Sequence, residues 1–147
     1  MKIADISTRK VRVTSPDQPL AEAARTMRDC SVGALVVVDL SDSRQRPIGM
    51  LTDRDIVRGQ LLKAADIHCL LVRDVMTAEP LLLHGDLEVF EALDALDAHQ
   101  VRRAPVVDES GNLAGMISLD DLVPVVANEF LSLANLLDLR PSLRPGR

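Results

Sequence analysis

The sequence has no tryptophan and no tyrosine, and its only aromatic residues are Phe90 and Phe130. That removes the stacking platforms on which single-stranded nucleic-acid binders rely. Positive charge is also in short supply. The 17 Lys and Arg stand against 22 Asp and Glu, a net charge of −5, and the pI is near 5.1. No broad basic footprint for duplex DNA or RNA is expected. The two cysteines, Cys30 and Cys69, form no CxxC and no zinc-ligand spacing, and read as small buried hydrophobes. His68, His84 and His99 are scattered without an HExxH, so no metal is expected. The opening MKIADISTRK carries Asp5 and Arg9 where a signal peptide would be apolar. The longest apolar runs fall short of the about 18 residues that cross a bilayer. The expectation is a soluble, cytoplasmic protein that engages no membrane. What is present is aliphatic: 47% hydrophobic residues in 147, enough for one domain or two closely packed halves with a core of Val, Leu, Ile, Ala and Met.

The chain repeats itself. At an offset of 69, Asp5 falls on Asp74, Thr8 on Thr77, Asp17 on Asp86, Glu22 on Glu91, and Val37-Val38-Asp39 on Val106-Val107-Asp108. Beyond that the offset becomes 66, and Gly49-Met50-Leu51-Thr52 falls on Gly115-Met116-Ile117-Ser118, with Asp55 on Asp121. The three-residue difference lies in the polar stretch 41–47, as a hairpin loop tolerates. Each copy carries a helical stripe: Leu20, Ala23, Ala24 and Met27 in the first, Val89, Ala92, Leu93 and Leu96 in the second. Asp17 is the expected N-cap of the first stripe, with Pro19 in its first turn. Short apolar strands follow at Ala34 to Val38 and Ala104 to Val107, then Ile48 to Leu51 and Leu113 to Ile117, each pair leading into a second helix. The reading is α/β (α+β), a strand–helix–strand–strand–helix unit used twice. Its expected boundaries are 1–62, a linker 63–71, 72–127, and a helical tail 128–147.

Both copies contain Gly-apolar-apolar-Ser/Thr-x-x-Asp: Gly49 to Asp55 and Gly115 to Asp121. One reading makes Thr52 and Ser118 N-caps, with the acid three residues on approximating a capping box. The other uses the same geometry for a ligand. A helix start gathers backbone N–H groups and a hydroxyl for phosphate oxygens, and a carboxylate that can accept from two ribose hydroxyls. The residues leave both open.

GMLTDRDIV, GMISLDDLV, RRAPVVD and the helix openings SPDQPLAEAA and HGDLEVFEAL together resemble a tandem pair of CBS domains over residues 3 to 127. The resemblance implies two repeats packed with pseudo-two-fold symmetry, binding adenosine-containing ligands (AMP, ADP, ATP or S-adenosylmethionine) between them. It implies that Thr52 and Asp55 serve one cleft, Ser118 and Asp121 the other. By the same resemblance each cleft draws on the other repeat's opening segment. The cleft of Asp121 would add Thr8, Val13 and Gly33 with Arg102 and Arg103; the cleft of Asp55 would add Thr77, Leu82 and Ala34, with Arg54 nearby. On this reading the arginine pair makes the Asp121 cleft the better equipped for a polyphosphate, and an adenine would lie between aliphatic side chains.

The chain departs from the family pattern at Pro124, which removes a helical donor and is expected to kink the last helix. Beyond it Phe130, Leu133, Ala134 and Leu137 continue a helical stripe, expected to pack on the core or on a second subunit, and the last seven residues are expected to be loose. No catalytic constellation is present: no Ser-His-Asp or Cys-His spacing and no phosphate-binding Gly-rich loop. The expected function is that of a stand-alone regulatory module, not an enzyme, acting as a homodimer on an unidentified downstream protein. The alternative is a structural dimerisation scaffold with empty clefts.

Overall fold

The apolar runs become the central strands of two sheets, one for each repeat. The computed structural model describes residues 1–41 and 43–137. In chain order these form α1 (Ile3–Ile6), β1 (Val13–Thr14), α2 (Leu20–Cys30), β2 (Ala34–Val38), β3 (Pro47–Thr52), α3 (Asp53–Lys63), a 3-10 turn (Ile67–Cys69), α4 (Val72–Val75), β4 (Thr77–Ala78), β5 (Leu83–His84), α5 (Val89–Ala98), β6 (Arg103–Val107), β7 (Leu113–Ser118) and α6 (Leu119–Leu136). One sheet has the order β1-β2-β3-β4 and the other β5-β6-β7. Corresponding residues pair in the same register. Thr14 lies beside Val37 as Leu83 lies beside Val106, and Ala34 faces Thr52 as Arg103 faces Ser118.

Period-two alternation divides β2 between two apolar layers. Leu35 and Val37 join Leu20, Ala23 and Met27 of α2, while Ala34, Val36 and Val38 meet Met50, Val13, Leu113 and Met116. The first layer holds helix to sheet within a repeat, and the second holds sheet to sheet between repeats. All five β2 residues are buried. Leu35 and each of the three valines contribute about 1.5–3 kcal/mol relative to exposure. The second repeat matches, with Val89, Ala92 and Leu96 of α5 against Ala104, Val106 and Ile117.

The opening segment of each repeat packs on the other repeat. Ile3 lies in the second core with Leu83, Val89 and Leu122, and its N–H donates to the Leu87 carbonyl at 2.9 Å. Reciprocally, Leu70 and Val72 lie in the first core. There the Leu20 N–H donates to the Leu70 carbonyl at 2.9 Å and the Val72 N–H to the Gln18 carbonyl at 3.0 Å. The stretch 63–71 thus contributes a core residue as well as a connection. The β2–β3 loop also reaches across: the Gln45 carbonyl accepts from the Leu113 N–H at 2.9 Å.

Several expectations are corrected. Pro19, not Asp17, stands at the N-cap of α2, because Asp17 is drawn into an ion pair with Arg73 at α4. Cys69 is exposed and Cys30 half-buried, both as free thiols. In the 3-10 turn of Cys69, Asp66 accepts from the His68 N–H at 2.8 Å, and it is Ile67 and the neighbouring Leu70, not Cys69, that pack on the first core. α6 runs through Pro124 without interruption to Leu136. Its final turns do not fold back on the core. Phe130 is 70% exposed, Leu133 58% and Leu137 67%, because the helix axis carries them past the last core residue of α6, Leu122. The expected loose C-terminus lies outside the described residues.

Candidate functional site

Each β-strand of the motif ends where a helix starts, and the glycine that opens the motif has a structural task. A Cβ on Gly49 would lie 2.8 Å from Met76 Sδ and 3.1 Å from the Thr77 carbonyl oxygen; one on Gly115 would lie 2.9 Å from Ser7 Oγ and 3.0 Å from the Thr8 carbonyl oxygen. The other repeat's opening segment crosses there, pairing Thr77 with Met50 and Thr8 with Met116. The glycines let those backbones approach. The exchange therefore brings Thr77 beside the Thr52–Asp55 motif and Thr8 beside the Ser118–Asp121 motif.

The caps at the helix starts are formed. The Asp55 N–H donates to Thr52 Oγ1 at 3.1 Å and the Thr52 N–H to Asp55 Oδ2 at 2.9 Å. In the second repeat the Ser118 N–H and Oγ–H both donate to Asp121 Oδ2, at 2.8 and 2.7 Å. Each cap engages one carboxylate oxygen. Among the described residues no hydrogen bond engages Oδ1 of Asp55 or of Asp121. The capping and ligand readings of the motif are therefore compatible. The free-amide expectation fails at α3, because its first-turn donors are already used. The Asp53 N–H donates to the Gly33 carbonyl at 3.1 Å, that of Arg54 to Asp53 Oδ1 at 2.8 Å, and that of Asp55 to Thr52.

One cleft of about 720 Å³ lies between the repeats, within the range of small-molecule sites. It gathers Thr52, Arg54, Asp55 and Thr77 from one expected set, and Gly33, Arg102, Arg103 and Ser118 from the other. The arginine pair thus lines the cleft of Asp55, where the sequence reading had assigned it to that of Asp121. The Arg102 carbonyl accepts from the Leu119 N–H at 2.9 Å, setting the start of β6 beside the start of α6 as the Gly33 carbonyl, accepting from the Asp53 N–H at 3.1 Å, sets β2 beside α3, and both helix starts line the cleft. Asp121 itself does not line it, nor do Thr8, Val13, Ala34 and Leu82. Ala34 and Val13 are taken up in the sheet-to-sheet layer, Thr8 in its bridge to Met116, and Leu82 is exposed outside.

Sequence reasoning missed Asp53, Arg58, Glu79 and Asp120, and the aliphatic wall of Met50, Pro80, Leu81, Val101 and Leu119. Arg58 was legible in principle, four residues after Arg54 and so on the same helical face. The cleft can accept hydroxyls on carboxylates, hold an apolar ring on aliphatic carbon, and bind anionic oxygens on guanidiniums. Among the described residues no group of three or more His, Cys, Asp or Glu is placed to hold a metal, and no helix is long and apolar enough to cross a membrane.

A family model of the CBS domain matches residues 3–61 and again 72–128. The chain belongs to the CBS-domain family. The tandem CBS pair is 35% identical to the CBS domain-containing protein YhcV of Bacillus subtilis, over 86% of this chain and 87% of YhcV. It is 30% identical to a protein of Methanopyrus kandleri over 85% of this chain, and spans 62% of that relative's length. A CBS-domain protein of Burkholderia ambifaria superposes with a TM-score of 0.77 at 27% identity, covering 88% of this chain and 96% of its own. CBSX2, solved in complex with AMP, shares the fold with a TM-score of 0.73 at 23% identity, over 88% and 98% of the two chains.

Proposed function

We propose that this CBS pair is a regulatory module that binds an adenosine-containing ligand in the inter-repeat cleft and changes shape or partner affinity when it does. The observation that carries this reading is the meeting, in one cleft, of Thr52 and Asp55 with Thr77 and Ser118 beside an aliphatic wall. Asp55 retains a carboxylate oxygen for ribose hydroxyls, and Met50, Leu81 and Val101 offer carbon to an adenine in a chain with almost no aromatics. The AMP held by a protein of the same fold supports the ligand class. A ligand touching both repeats binds only the arrangement that brings them this close, so its concentration sets the population of that arrangement. A cytoplasmic location fits such a sensor.

Calorimetry on ligand-stripped protein with AMP, ADP, ATP and S-adenosylmethionine tests the reading. At about 100 times its dissociation constant a bound ligand adds about 2.7 kcal/mol of stability, a clear melting shift. Neither heat nor shift at millimolar ligand would leave the scaffold reading. That second reading is favoured by the uncovered face of α6, where Val123, Phe130, Leu133 and Leu137 are exposed and, with Val126 packed on the second core, recur at alternating spacings of three and four. This is the repeat at which two helices interdigitate, with Ala127 and Ala134 permitting close approach. Homodimerisation through this face is compatible with ligand sensing.

A further inference from the structure

Among the described residues the four arginines of the cleft form no ion pair. Arg54 and Arg58 come from α3, Arg102 and Arg103 from the start of β6. The ion pairs among the described residues lie elsewhere, at Met1–Glu88, Arg28–Asp29 and Arg73–Asp17. Asp53, Asp55, Glu79 and Asp120 line the same cleft, yet none is within ion-pair distance of these guanidiniums. Arg54 and Arg58 stand one helical turn apart on one face of α3, about 6 Å along its axis. Arg102 and Arg103 enter from the opposite repeat. Because the four carboxylates share the lining without pairing with these guanidiniums, each guanidinium keeps its donors for an anion with several oxygens, which it can hold through forked, charge-assisted bonds. The α3 amides, already bonded to Gly33, Asp53 and Thr52, leave phosphate recognition to the side chains.

The duplication shows that this feature is one-sided. The second-repeat counterparts of Arg54 and Arg58 are Asp120 and Pro124, and the first-repeat counterparts of Arg102 and Arg103 are Gly33 and Ala34. All four arginines line the one cleft that Asp55 lines, and Asp121 does not line it. We infer that this cleft reads polyphosphate: each CBS pair binds one nucleoside di- or triphosphate on the Asp55 side, in preference to a nucleoside monophosphate or S-adenosylmethionine. The inference rests on the adenosyl-ligand reading above for the nucleoside end and on the arginines alone for the phosphate end. A sulfonium ligand, cationic at its centre, gains nothing from four guanidiniums.

The test is calorimetry at fixed ionic strength with inorganic tripolyphosphate, ATP, AMP, adenosine and S-adenosylmethionine, on the wild-type chain and on the Arg54→Ala/Arg58→Ala double variant. Both residues are exposed, so the variant should melt with the wild type. The expected result is one ATP per chain, bound at least tenfold more tightly than AMP. The double variant should lose at least tenfold in affinity for ATP and tripolyphosphate, with adenosine unaffected. ATP and AMP binding equally well, two ATP per chain, or a double variant that keeps ATP affinity would each overturn the inference while leaving the adenosyl reading intact. Tripolyphosphate binding that depends on the arginines, in a protein that binds ATP no more tightly, would support the clamp and overturn the adenosyl reading. No binding of any probe overturns both.

Discussion

Thr52 and Asp55 hold each other in a reciprocal pair, the Asp55 N–H on Thr52 Oγ1 and the Thr52 N–H on Asp55 Oδ2. The cap uses one carboxylate oxygen and leaves Oδ1 for a ligand. Asp55→Asn keeps an acceptor for the Thr52 N–H but loses the charge that receives ribose hydroxyls. The melting temperature should stay close to that of the wild type, while ATP affinity falls about ten- to a hundredfold. Asp121→Asn, outside the cleft lining, should lose less. Titration and melting of both variants checks this; equal losses at the two positions would show that the site is shared symmetrically.

The crossing of opening segments makes its own prediction. Gly115→Ala places a Cβ 3.0 Å from the Thr8 carbonyl oxygen, a backbone atom that cannot rotate away as Ser7 Oγ can. Overpacking of this kind costs about 1–3 kcal/mol, and denaturant unfolding should register it. Ser7→Ala in the same background should recover only a part, because the backbone contact remains.

The helical stripes Leu20-Ala23-Met27 and Val89-Ala92-Leu96, and the strand runs Ala34–Val38 and Ala104–Val107, were legible because hydrophobic period reports local structure directly. The exchange of Ile3 and Val72 between cores was not. Each sits in a four-residue helix too short to show a period. Asp17 read as a cap because its partner, Arg73, lies far along the chain. The motif acids were legible as a pair, but a duplicated motif gives two equivalent ways to assign Arg102 and Arg103. What decides between them is the cleft itself, which both arginines line together with Asp55 and without Asp121.

The aspartates that end β2 and β6 predict a pH effect. At Asp108, bonds from the Asn112 backbone N–H and side chain and from the Ser110 N–H hold the carboxyl below its ordinary value of 3.8. At Asp39, bonds from the Ser41 hydroxyl and N–H do the same. A carboxyl lowered by folding contributes stability that is fully present above its unfolded value and is lost as the pH falls through the folded one. Asp108→Ala should therefore destabilise at neutral pH, and its difference from wild type should shrink as the pH drops below about 4. A difference independent of pH would exclude the ionised carboxylate as the cause.

The uncovered α6 face predicts self-association. Light scattering at tens of micromolar should give the mass of a dimer. Phe130→Glu with Leu133→Glu should give a monomer, without loss of the fold, because both side chains are exposed. A wild-type monomer would end the dimer proposal.

The most direct test of the account is an amide ¹H–¹⁵N titration of the ligand-stripped chain with ATP. The account predicts saturable shifts at Gly33, Thr52, Arg54, Thr77, Val101 and Ser118, the residues that two repeats bring to one cleft, with little change at Asn128 or Ser132 on α6. No shifts at millimolar ATP, or shifts confined to residues outside that cleft, would contradict it.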